Sequence, residues 1–116
     1  MKITLVVVAT LIGLASAASA MGKFARKPDI MAAMAHVGVT AKQVPLLGLL
    51  ELLGAMGLLI GIWNKPLGVA ASIGLTLYFL GATSIHVRLK DKMPILGPPL
   101  VLFLIALATA VLELQR

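Results

Sequence analysis

The chain has 116 residues, 60% of them hydrophobic and 12% charged, with a net charge of +6 and no cysteine. Soluble domains are about 45–50% apolar and about 25% charged, so this is a membrane composition with no residues left over for a soluble domain. The missing cysteine excludes thiol chemistry, disulfides and cysteine-ligated zinc or iron–sulfur sites.

Four stretches reach spanning length: about residues 3–22, 44–63, 66–87 and 93–112. At about 1.5 Å of rise per residue, roughly twenty residues cross the bilayer's ~30 Å of hydrocarbon. The expected fold is all-α: one integral membrane domain over 1–116, a four-helix transmembrane bundle with a short interfacial helix between spans one and two.

The first stretch has two readings. Lys2, the apolar run Ile3–Ala15 and Ala18-Ser19-Ala20 together resemble a secretory signal cleaved before Met21. The uncharged run continues to Gly22, however, beyond the usual signal core of about 7–15 residues, and an uncleaved first span is expected. In the loop that follows, Pro28 and Asp29 can start a short helix and Gly38 can end it. Ile30, Ala33, Met34 and Val37 then share one face, as in a helix lying at a membrane surface. Met31, Met34 and His36 have soft-metal spacing, but methionines on such a face are common and no companion motif accompanies them, so no metal site is expected.

Span two carries Gly48, Gly54 and Ala55 around Glu51, then Gly57 and Gly61 at GxxxG spacing. Span one has Gly13, Ser16, Ala17 and Ala20, and span three has Gly68, Ser72, Gly81 and Ala82. Small residues let helix backbones approach closely in lipid, so a tight bundle follows without invoking a ligand. Trp63-Asn64-Lys65-Pro66 is short enough to force an antiparallel hairpin. Pro98 and Pro99 are expected in the first turns of span four, where proline is tolerated.

Lys23, Arg26, Lys27 and Lys42 lie between spans one and two, and Arg88, Lys90 and Lys92 between spans three and four. The opposite side holds Lys2, Lys65 and Arg116. The positive-inside rule places both basic loops in the cytoplasm and both termini outside. Such charges fix topology and touch anionic lipid, so the bilayer is the expected partner and nucleic acid is not.

Glu51 stands alone in the apolar run Val44–Trp63. An acid at membrane depth costs about 2.5–3.5 kcal/mol on insertion scales and is normally paired, buried and functional. Span order alone returns Lys23, Glu51 and His86 to similar depth on one side. If they meet, Lys23 and Glu51 pair, and His86 can bridge them or relay a proton. Otherwise Lys23 and His86 reach the headgroups and Glu51 is hydrogen-bonded to a neighbour.

Gly22-Lys23-Phe24, Val37-Gly38-Val39, Leu49-Leu50-Glu51-Leu52-Leu53-Gly54-Ala55 and Gly81-Ala82-Thr83-Ser84-Ile85-His86 resemble the DoxX/DoxX-like family of small four-helix membrane proteins. The resemblance covers nearly the whole chain and implies a bacterial inner-membrane protein. It makes Lys23, Glu51 and His86 the lysine, glutamate and histidine of the family pattern. It also implies association with redox systems in some members, receptor-assembly chaperones among distant eukaryotic relatives, and no known activity for many.

Three functions follow as expectations. One is a small subunit of a membrane redox system, using Lys23, Glu51 and His86 to hold a quinone headgroup or pass its protons. No electron carrier is encoded, and His36 with His86 forms only a remote pair for haem, so electrons would come from a partner protein. Another is a non-catalytic assembly or scaffold protein whose polar trio fixes helix register. The third, a small proton-coupled transporter working as a homo-oligomer, is disfavoured by the 4% aromatic content and by a glutamate in span two. The sequence does not decide whether the protein is an enzyme.

Overall fold

The computed structural model describes residues 2–116, with side chains from residue 3 onward; the Lys2 charge noted above lies outside the described side chains. Its α-helices are α1 (Lys2–Phe24), α2 (Pro28–His36), α3 (Val44–Ile60), α4 (Lys65–Arg88) and α5 (Met93–Leu114). A single 3-10 turn, Gly61–Trp63, continues α3. Four of these helices, all but α2, are long and apolar enough to cross a membrane, and the chain is a multi-pass membrane protein.

Local chemistry sets the helix ends. Pro28, Pro45, Pro66 and Pro94 occupy first turns, where a missing N–H loses no helical bond. The Asn64 side chain caps α4 by accepting from the Leu67 N–H at 3.2 Å. Gly38, at φ +85°, ends α2: its N–H bonds Ala35 O at 3.1 Å and the Val39 N–H bonds Met34 O at 2.9 Å. Pro98 and Pro99 differ from expectation. They lie inside α5, past the residues whose N–H groups lack helical partners, so Pro94 O and Ile95 O lose their usual helical donors.

α1 packs chiefly on α3 and α4 chiefly on α5, while α3–α4 and α1–α5 contacts close the ring. Successive spans are antiparallel, so the bundle has a loop end, carrying α2 and the α4–α5 turn, and a hairpin end. α2 has no buried residue, and its Ile30 fills the space left by Gly22. The core is built on Ile12, Leu58, Leu75 and Phe79, whereas Leu11, Leu53, Leu77 and Leu104 face outward. An outer surface of this kind suits lipid and not water.

Lipid tails are as apolar as leucine, so close packing must hold the helices together. The tightest approach is at the hairpin end, where a Cβ on Gly61 would lie 2.5 Å from Gly68 Cα. A Cβ on Gly68 would in turn overlap the Glu113 carboxylate. The buried hydroxyls of Ser72 and Thr109 are satisfied by their own helices, through Val69 O and Ile105 O.

Candidate functional site

Glu51 is 1% exposed and faces α1. One turn earlier, a Cβ on Gly48 would lie 3.2 Å from Lys23 Cβ and 3.2 Å from Phe24 Cε1. The bare glycine lets the helices approach until Lys23 Nζ reaches Glu51 Oε1 at 2.5 Å. Lys23 also donates to Ser19 Oγ at 2.8 Å, and Ser19 donates to the same carboxylate oxygen at 3.1 Å. Pairing and hydrogen bonding offset the several kcal/mol that each buried ion costs. The other oxygen, Oε2, is buried and has no hydrogen-bond partner among the described residues. Tyr78 of α4 lies beside this carboxylate without meeting hydrogen-bond geometry.

His86 does not join Lys23 and Glu51. It lies eight residues beyond Tyr78, about 12 Å further along α4 towards the loop end. Its Nδ1 donates to Asp91 Oδ2 at 2.7 Å. Lys90 makes this contact possible by adopting φ +56°, a left-handed turn that also bonds the Asp91 N–H to His86 O at 3.1 Å. His36, from the last turn of α2, places Nε2 2.9 Å from Asp91 Oδ1. The two histidines are therefore not a remote pair: their ring centroids are 6.4 Å apart, joined through one carboxylate.

A cavity of about 340 Å³ lies between α2 and α4 and reaches from Tyr78 to His86. Met34, Val37 and Leu47 line one wall, and Tyr78, Gly81 and His86 the other. Its lining is apolar apart from Tyr78 at one end and His86 at the other. With Nδ1 donating to Asp91, His86 keeps its second ring nitrogen available to accept or deliver a proton.

Asp91 also fastens α2 over the cavity. Its hydrogen bonds from His86, then His36, hold its carboxyl below the usual carboxylate range. A depressed folded value means that the group's stabilising effect is complete above the unfolded value, about 3.9, and is lost as pH falls through the folded one. The protection of α2 amides, relative to their intrinsic exchange rate at each pH, is therefore expected to be full at pH 5 and to fall below about pH 4. Asp91→Asn should give fast exchange over residues 28–37 at both pH values, leaving α4 and α5 protected.

A second buried carboxylate escaped the sequence reading. Glu113, 2% exposed, pairs with Arg116 Nη1 at 2.7 Å. Arg116 also donates to Gly61 O and Ile62 O, each at 2.7 Å, and Lys65 Nζ bonds Arg116 O at 2.6 Å. This group ties α5 to the end of α3. Its only sequence signal is Glu-x-x-Arg, which reads as a solvated helix end.

The sequence matches the DoxX-like family over residues 7–109, nearly the whole chain. The chain belongs to the DoxX-like family. The match runs from α1 to the last turns of α5 and so takes in Lys23, Glu51, Tyr78, His86 and Asp91 of this DoxX-like protein. No curated protein and no solved structure matches it.

Proposed function

We propose that this DoxX-like protein binds the headgroup of a membrane quinone in the α2–α4 cavity, as the membrane subunit of a redox system. The observation that carries this reading is a buried carboxylate with one unpartnered oxygen, Glu51 Oε2, on a residue next to Tyr78, which itself lines the cavity. The cavity is within the usual small-molecule range of about 300–1,000 Å³, with few polar groups at fixed positions. Reduction of a quinone to a quinol takes two electrons and two protons. The electrons come from a partner redox protein, while Tyr78–Glu51 and His86–Asp91 exchange protons at the two ends. On this reading the loop end faces the cytoplasm of a bacterial inner membrane, where the basic loops belong.

The test is saturable binding of a short-tailed benzoquinone analogue to the protein in lipid nanodiscs. Glu51→Gln and Tyr78→Phe are each expected to weaken it about tenfold, the worth of one hydrogen bond to a charged group or its relay. Abundance and helicity should stay the same. The scaffold reading also has a specific observation behind it: polar contacts tie helices together at both ends of the bundle, the Lys23–Glu51 pair between α1 and α3, and Arg116 donating to Gly61 O and Ile62 O. It predicts no saturable binding and full function in Glu51→Gln.

A further inference from the structure

A second depression, of about 560 Å³, runs along the lipid-facing seam between α3 and α4. Leu50, Leu53 and Gly57 form its α3 side, and Leu67, Ala70 and Gly74 its α4 side. It adjoins the first cavity at Leu77 and Tyr78, which line both. Tyr78 is thus the shared wall between the cavity that His86 lines and a trough whose other lining residues are apolar.

We infer that the two spaces form one site for a long-tailed amphiphile: a ring headgroup in the α2–α4 cavity and an unbranched or isoprenoid tail in the α3–α4 trough. This deepens the proposal above and rests on it. Their lengths fit. From His86 to Leu77 is nine residues of α4, about 14 Å, and from Tyr78 to Leu67 eleven residues, about 16 Å. Together they extend over nearly the ~30 Å hydrocarbon thickness, from the loop end towards the hairpin end. The lining side chains fit as well: His86 lines the cavity at the end near the basic loops, whereas the trough is lined by apolar side chains and glycines apart from Tyr78. A tail leaving lipid for such a trough gains little hydrophobic energy, so the trough selects by shape rather than by affinity.

Two glycines allow a clean test, since a Cβ on Gly74 or on Gly81 meets nothing within 4 Å. Gly74→Leu adds bulk to the trough and Gly81→Leu to the headgroup cavity, in each case from a Cβ that stands in open space. The probe is a benzoquinone with a long alkyl tail carrying a terminal diazirine, added to full-length protein in phosphatidylcholine nanodiscs. Its photolabelled residues are then mapped by peptide mass spectrometry.

Saturable labelling should concentrate on residues 50–57 and 67–74. In Gly74→Leu it should fall at least fivefold there, while competition by the short-tailed analogue still detects headgroup binding. Gly81→Leu should abolish both. Saturable binding with labels scattered over the outer faces of α1 and α5 would overturn the trough assignment and leave the headgroup site standing. No saturable binding of either probe would overturn the headgroup reading, and this inference with it. The excess phosphatidylcholine already competes as an ordinary lipid, so unsaturable trough labelling would identify the trough as an annular lipid contact and also overturn the inference.

Discussion

Lys23→Met is expected to lower the stability of the bundle by about 3–5 kcal/mol, because it leaves Glu51 buried without its counter-charge. Glu51→Gln should cost less. Lys23 is near the loop end of α1, where its ammonium can swing to the headgroups on a flexible stem. The double variant Lys23→Met/Glu51→Leu should recover most of the loss, since a buried ion pair replaced by apolar side chains of similar volume is often neutral or stabilising. Reversible unfolding in mixed micelles gives the cycle directly. A double variant whose loss equals the sum of Lys23→Met and Glu51→Leu alone would show that the two groups do not act as a pair.

Gly68→Leu should be about as damaging, for a steric reason. The new Cβ would overlap the Glu113 carboxylate, which is itself held by Arg116 against the carbonyls of Gly61 and Ile62. Relieving the clash means separating α4 from α5 or displacing Glu113 and freeing Arg116 from the end of α3. Overpacking alone costs about 1–3 kcal/mol, and an orphaned buried charge adds to it. Gly61→Ala should also destabilise, since it meets backbone and not a side chain that can turn away. Gly74→Ala and Gly81→Ala have open space and should stay within about 0.5 kcal/mol of the parent. Equal losses at all four glycines in the same unfolding assay would mean that helix propensity, and not contact, sets the cost.

These contrasts show which features a single sequence carries. The spans and the ends of α2 are legible because hydropathy, first-turn prolines and Gly38 act locally. The depth of Lys23 and Glu51 follows from span order. Their contact depends on helix rotation, which Gly48 resolves only once α1 is seen against it. His86 was placed at the right end of the bundle but given the wrong neighbour. Its partner, Asp91, is brought back by a left-handed turn at Lys90, a residue type that does not announce such a turn. Glu113 was missed because the fourth span was ended at Leu112, one residue short. Nothing in the sequence marks Tyr78; only the α3–α4 pairing sets it next to Glu51 and in the lining of the cavity.

The chemistry proposed here therefore rests on one arrangement: a half-satisfied buried carboxylate next to Tyr78, and a cavity lined by Tyr78 at one end and by His86, the partner of Asp91, at the other. Native mass spectrometry of the full-length protein, released gently from its own membrane, tests it most directly. The bundle is expected to carry a quinone-class amphiphile that is lost in Glu51→Gln and in Gly81→Leu while the fold is kept. An intact wild-type bundle that emerges with no such ligand, even after incubation with excess quinone, would contradict it.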